Sequence, residues 1–413
     1  MKKILFLTRS YPNSHKSASL LCTHRVINCL RANEKYDIHV LCYRYENELE
    51  EEIIDNVIVH RFRPSFWEGW RERLCSNNKH DKLLRVMEVI QKVLTFPWYP
   101  SLSPMSGYLF KKTAKELCLK IHFDIVISEH HSRESLICGC YLKSFFDEIK
   151  HITILWDPIE GQIPTRFFPK KYTDKAIERL ENLSINYSDM IISTGTMRDF
   201  YKERIDKGKE KRFYLGFPGI IEPEDEVNTK YLDLLKPNAI NVVYSGQLSL
   251  LQRNPIPVIE LLNKCDAADR MNFIFFSAGD ARSKLEGLNI QGSISYHDYI
   301  PIKYLHTIYR HADFLLNISH INAKMVPSKL FEYMSYGKPI LSFYKTEGDS
   351  AKIILNHYSE GISIDLNRNK DENLPILNSF IGTDHKLVSF DVVKELYFDN
   401  TPEAYLNLIK RFI

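Results

Sequence analysis

The chain has 413 residues, 44% of them hydrophobic and 26% charged. That is the composition of folded soluble domains, and the length is too great for one ordinary core, so two domains are expected. A net charge of +3 gives no general attraction to nucleic acid. Eight cysteines without a C-x-x-C pair argue against a zinc knuckle or a thioredoxin-type site, and for buried thiols in a reducing, cytoplasmic setting.

The first stretch, "MKKILFLTRSYP", carries two lysines and then a short apolar run. The run is too short for a signal peptide and reads as a buried strand. No run of about 18 apolar residues occurs anywhere, so no transmembrane helix is expected. Further strands are expected at "DIHVLCY" from Asp37, "VIVHRF" from Val57, "DIVISE" from Asp124, "HITILWD" from His151 and "DMIIST" from Asp189. Between them lie helix-period segments such as "CTHRVINCLRAN" and "ESLICGCYLKSFFDEI". Near-continuous Val/Ile/Leu runs suit a parallel sheet covered on both faces.

Periodicity is poor between Arg61 and Lys112, where ten Lys/Arg stand against four Asp/Glu and Trp67, Trp70, Phe96 and Trp98 punctuate the run. One reading is a loop-and-helix insertion packed on the first domain. The other is a patch for an anionic membrane surface, because aromatic and basic residues together favour the headgroup region.

Around Gly219 an acidic, proline-bracketed stretch reads as a linker with one short helix. Strands then resume at "NVVYSG" from Asn241, "NFIFFSAG" from Asn272, "SISYHDYI" from Ser293, "FLLNIS" from Phe314, "PILSFY" from Pro339 and "GISID" from Gly361. A final helix begins at Thr401 as N-cap with Pro402 in its first turn. The fold class is α/β, with two doubly wound, Rossmann-like parallel-sheet domains over 1–219 and 220–400.

In such sheets ligands bind beyond the carboxyl ends of the strands. In the second half those positions include Gly246, Gln247, Arg253, Asn254, Gly279, Asp280, Tyr299 and Ile300. They also include "KMVPSKLFEYMSYGKPILSF" from Lys324. There, Pro327 suits the first turn of a helix of about ten residues, and Gly337 and Pro339 end it. Amides near Met325, Val326 and Ser328, with Lys324 and Lys329 close by, would receive an anion such as a diphosphate. Glu332 can accept two hydrogen bonds, which matches the paired hydroxyls of a ribose. The alternative is a buried glutamate paired with a lysine or capping its own helix. In "YSGQLSLLQRNP" Gly246 allows close backbone approach, and Arg253 can grip phosphate oxygens.

These two stretches resemble the donor-site signature of family-4 glycosyltransferases, which have the GT-B fold. "ILFLTRSYP", "DIVISEHH", "WDP" and "SDMIISTGTMRDFY" occur in the order the family shows, so the resemblance spans nearly the whole chain. It implies two domains facing a central cleft, with the helix 401–413 packing back on the first. Donor binding falls in the C-terminal half and acceptor binding in the N-terminal half. It also implies retaining, metal-independent transfer from a nucleotide-diphosphate sugar as co-substrate to a glycan or lipid-linked saccharide, with no cofactor. Glu332 matches the ribose-binding glutamate, Arg253 the basic residue on the diphosphate, and the backbone at Tyr299 and Ile300 the base-holding segment.

Three departures stand out. Lys324 replaces a glutamate that contacts the sugar, and Gln247 replaces the first basic residue after the loop glycine. "SHKSASL" replaces the glycine-rich turn after the first strand, leaving Ser17, Ala18 and Ser19 to approach an acceptor. The catalytic-loop position falls on Glu129, with His130 and His131 adjacent, and the sequence does not choose among them. A nicotinamide-dependent oxidoreductase should show G-x-G-x-x-G after a strand, which this chain lacks. A nucleotide-sugar epimerase of the same fold and a non-catalytic glycan-binding scaffold remain as rivals.

Overall fold

A computed structural model describes residues 1–12, 18–45, 47–70, 81–99, 101, 103–130, 132–157, 159, 169–195, 209–224, 228–323 and 325–412. Of the residues singled out in the sequence, Ser17, His131 and Lys324 lie outside that set. The chain divides into two compact units, one of residues 1–216 with 405–413 and one of residues 217–404.

The first unit is built on an eight-stranded sheet ordered β3-β4-β2-β1-β5-β6-β7-β8. In chain order the strands are β1 Lys2–Leu7, β2 Tyr36–Tyr43, β3 Glu51–Ile54, β4 Val57–Phe62, β5 Ile125–Glu129, β6 Lys150–Leu155, β7 Met190–Thr194 and β8 Arg212–Leu215. All neighbours run parallel except β3, which pairs antiparallel with β4 at the edge. Two of these strands go beyond the sequence reading. β3 alternates exposed and half-buried residues, an edge pattern without the apolar run of a central strand. β8 has only four residues and follows a lysine-rich turn. Strands β5 and β7 are buried along their whole length, as their unbroken apolar runs require. Helices Ala18–Arg31, Pro104–Lys120, Arg133–Phe145 and Lys170–Tyr187 supply the covering layers.

The second unit holds a six-stranded sheet ordered β11-β10-β9-β12-β13-β14. Its strands are β9 Ile240–Leu248, β10 Met271–Gly279, β11 Ser293–His297, β12 Phe314–Ile318, β13 Ile340–Tyr344 and β14 Gly361–Asp365, all parallel. Its core joins Val242, Phe273, Phe275, Leu316, Leu341 and Phe343. Counted along the chain, the order is 3-2-1-4-5-6, the doubly wound pattern of nucleotide-binding sheets. The order reverses between β9 and β12 here, and between β1 and β5 in the first unit. Those are the two places where a crevice is expected at the carboxyl ends of the strands.

The last helix, Pro402–Phe412, is capped as the sequence suggests, with the Thr401 hydroxyl accepting the Ala404 N–H at 3.2 Å. Its body belongs to the first unit. There Tyr405 donates to the Gly216 carbonyl at 2.8 Å and sets its ring against buried Trp156. Among the described residues, no helix is long and apolar enough to cross a membrane.

Candidate functional site

In the second unit β9 and β12 pair only at Phe314↔Val242 and Leu315↔Val243, whereas β9 stays paired with β10 as far as Leu248. Past Val243 the β9 backbone therefore needs partners on the β12 side. A buried tyrosine supplies one: the Tyr333 hydroxyl accepts the Ser245 N–H at 2.8 Å. Tyr309 hydrogen-bonds the Ser245 hydroxyl from alongside. Burial pushes both phenols far above their ordinary range, so both stay protonated.

Just beyond, Gly246 has φ +146°, where a side chain would be strained. The chain then turns back on itself. Ser249 and Arg253 exchange backbone hydrogen bonds at 2.9 and 3.3 Å and close a tight loop. The side chain of Asp280 accepts the Leu250 N–H at 2.8 Å, and Asn254 accepts the Ile256 N–H at 3.0 Å, opening the helix Ile256–Leu262. Gly279 packs so closely on Leu248 that an added Cβ would fall 1.8 Å from its carbonyl oxygen. Asp280, Asn254 and Gly279 thus shape the loop that carries Arg253. Gln247 is exposed, and its carbonyl accepts the Tyr244 hydroxyl at 3.1 Å.

The arginine is half-buried, and its Nε is shut off from water without an acceptor among the described residues. A desolvated N–H without a partner is costly, and an acceptor oxygen, a phosphate's among them, would relieve it.

The second element is the helix Ser328–Met334. It has seven residues rather than about ten, because Pro327 takes an extended conformation (φ −73°, ψ 105°) and stands before the helix instead of within it. The Met325 amide is not free either, since it donates to the Asn322 carbonyl at 3.1 Å. Ser328 opens the helix, and Val326 is half-buried ahead of it. Glu332 is buried and accepts from the Lys329 ammonium at 2.8 Å, which is the lysine pairing weighed as an alternative. The pairing does not exhaust the group, since a carboxylate has about four lone-pair sites.

Arg253 and Glu332 belong to one neighbourhood. Tyr299, in the loop after β11, has its phenol pushed up chiefly by burial, and both Lys329 and Arg253 act on it in the opposite sense. Ile300 follows it in the same loop. The loop after β12 is fastened to the arginine turn, with the Ile321 N–H donating to the Gln252 carbonyl at 2.9 Å. His320 in that loop is kept below its ordinary pKa by burial, then by the charge of Arg253. Asp349 steadies the loop by accepting from the Ser319 hydroxyl at 3.0 Å. Tyr244, Tyr309, Tyr333 and His320 were not singled out in the sequence. Their places follow from the parting of β9 and β12, which no local pattern reveals.

In the first unit, Glu129 ends β5 beside β1 and is buried, accepting from the Thr8 hydroxyl at 3.1 Å. The Nδ1 atom of buried His130 receives the Trp156 backbone N–H at 3.0 Å. A ring nitrogen that accepts carries no proton, so Nε2 holds it and acts as a donor. A small pocket lined by His130, Arg133, Leu136, Ile159 and Leu180 adjoins it. Burial depresses the Arg133 pKa, and Arg133 is a residue the sequence reading missed. Ala18 opens the helix Ala18–Arg31, and the Ser19 carbonyl accepts from the Thr23 hydroxyl at 3.1 Å. Among the described residues, no group of three or more His, Cys, Asp or Glu is placed to hold a metal ion.

No protein-family model matches the chain, and no curated protein matches it. Solved structures do, over essentially the whole length. One is Anabaena HepE in complex with UDP and glucose, at 13% identity, covering 100% of each chain with a TM-score of 0.63. Another is sucrose-phosphate synthase from Thermosynechococcus elongatus, at 12% identity, covering 100% of this chain and 99% of that one, TM-score 0.64. A UDP-GlcNAc 2-epimerase from Methanocaldococcus jannaschii also matches, at 9% identity, covering 100% of each chain with a TM-score of 0.55. The chain has the α/β fold of these proteins, which is GT-B.

Proposed function

We propose that the chain is a glycosyltransferase that takes a sugar from a nucleoside-diphosphate sugar, with a UDP-sugar the first donor to test. The observation that carries the reading is the half-buried Arg253, its Nε without an acceptor among the described residues, at the strand crossover that also holds Glu332. Breaking a sugar–diphosphate bond builds negative charge on the leaving phosphate. A guanidinium already fixed and partly desolvated stabilises that charge without reorganising, and a donor of this kind contributes about 3 kcal/mol to lowering the barrier. Glu332 would receive the ribose hydroxyls, and the loop at Tyr299 and Ile300 would hold the base. The likeness to HepE, whose structures include complexes with UDP and with UDP-glucose, supports this use of the fold.

In this reading transfer proceeds with retention, without a metal, to a glycan or lipid-linked acceptor held by the first unit. There Glu129 lies at the other crossover, with buried His130 next to it in the chain. Isothermal titration against a panel of nucleotide sugars, followed by product analysis with acceptor candidates, tests it. Binding with turnover only when an acceptor is present supports transfer, and no binding to any nucleotide sugar would favour the scaffold reading. The match to a 2-epimerase favours one second reading, isomerisation of the donor without an acceptor. Conversion of the donor sugar in the absence of acceptor would identify it.

A further inference from the structure

The helix Asp81–Thr95 is turned the wrong way for a helix of a globular core. Val86, Val89, Ile90, Val93 and Leu94 recur at the spacing i, i+3, i+4, i+7, i+8, which defines one face. On most helices that face is buried, but here all five side chains are exposed, Val93 at 64%. Met87, at the edge of that face beside Leu94, is buried. The helix, about 22 Å long, runs directly into the turn Phe96–Trp98, and Trp98 is 61% exposed.

The apolar surface continues across a knot of serines. Ser101 donates to the Trp98 carbonyl at 3.0 Å, and the Ser103 hydroxyl bonds that of Ser65 at 3.0 Å. The Ser65 N–H donates to the Ser106 hydroxyl at 2.9 Å. These bonds bring the short helix over 66–70 to the start of the helix Pro104–Lys120. Phe66, 74% exposed, Trp67 and Met105 therefore emerge at the same corner as Trp98. The ion pair from Glu68 to Arg9 anchors that corner to the sheet. Single exposed apolar residues are ordinary, but a continuous stripe ending in tryptophans is not.

We propose that this face lies in the interface of an anionic lipid bilayer. Charge decides for lipid over a protein partner. Arg61 is buried and paired with Glu52, and residues 63–112 carry nine Lys/Arg against four Asp/Glu in sequence. An exposed aliphatic stripe with tryptophan at its end, in a segment whose sequence carries a surplus of cations, suits the interface of an anionic bilayer. This face shares no residue with the donor site.

Flotation of the full chain tests it, with vesicles of phosphatidylcholine alone and vesicles with about a third phosphatidylglycerol. The parent protein should rise with the anionic vesicles at low salt and much less with the neutral ones. Val93→Glu and, separately, Ile90→Glu should weaken that partition by roughly tenfold or more, with nucleotide affinity unchanged as the check on folding. Trp98→Ala should weaken it too. The proposal is overturned if the parent stays in solution with both vesicles, or if the glutamate variants float as the parent does. It is also overturned if the parent is a dimer that Val93→Glu converts to monomer without loss of flotation, which would assign the face to a second copy.

Discussion

The Tyr333 hydroxyl accepts the Ser245 N–H at 2.8 Å, and this bond joins the strand end that leads to Gly246 with the helix that carries Glu332. It stands where a strand-to-strand bond would be if β12 continued alongside β9. Tyr333→Phe keeps the ring and orphans the amide. A loss of about 1–3 kcal/mol in stability is expected, measured by urea denaturation. Nucleoside diphosphate affinity should fall as well, because Gly246 and Glu332 lose their common tether. An unchanged affinity would limit Tyr333 to packing.

Gly279→Ala should fail to fold properly. The position has φ +127°, and the added Cβ would sit 1.8 Å from the Leu248 carbonyl oxygen, a backbone atom that cannot swing aside. Soluble yield and thermal melting check this. A variant as stable as the parent would mean that β9 and β10 approach less closely than described.

Glu332→Gln keeps the shape and removes the charge that holds Lys329. If the carboxylate receives ribose hydroxyls, affinity for a nucleoside diphosphate should fall by about 1–3 kcal/mol. The loss should be smaller for the 2′,3′-dideoxy analogue. Equal losses for the two nucleotides would reduce Glu332 to a partner of Lys329.

Acid should destabilise the first unit through His151. Its ring is fully buried, accepts from the Ser128 hydroxyl at 2.8 Å through Nε2 and donates to the Tyr187 carbonyl at 2.7 Å through Nδ1. Burial, against a smaller opposing effect of the Tyr187 bond, pushes its pKa from 6.5 down to about 4. The unfolded chain takes up a proton as the pH falls through about 6.5, and the native ring does not until about 4. Stability from this group is therefore complete above the first value and lost progressively towards the second, by at most about 3 kcal/mol. Urea midpoints at pH 7.5 and 5 check the trend, and an NMR titration of the ring assigns it. A ring that protonates near 6.5 in the native protein would contradict it.

Much of this fold was legible because buried parallel strands write themselves as unbroken apolar runs, and "IVISE" and "FLLNI" left little choice. β3 was not legible, since "EEII" is an edge strand with two glutamates in four residues. At the site, Gly246, Arg253 and Glu332 could be named from glycine chemistry, charge and resemblance. The length of the Glu332 helix could not, because it turns on the extended conformation of Pro327. Nor could the tyrosines, whose hydroxyls matter only where β9 and β12 separate. The helix Asp81–Thr95 was missed, because its stripe sits in a stretch whose periodicity reads as poor among charged and aromatic residues, and only the fold shows that the stripe is exposed.

The central claim is that Arg253 receives the diphosphate. Isothermal titration of the parent and of Arg253→Ala with a nucleoside, its monophosphate and its diphosphate tests this most directly. The account predicts equal nucleoside binding by both proteins, a large loss confined to the diphosphate, and a transfer rate lower by on the order of a hundredfold. Diphosphate binding and transfer undiminished in Arg253→Ala would contradict it.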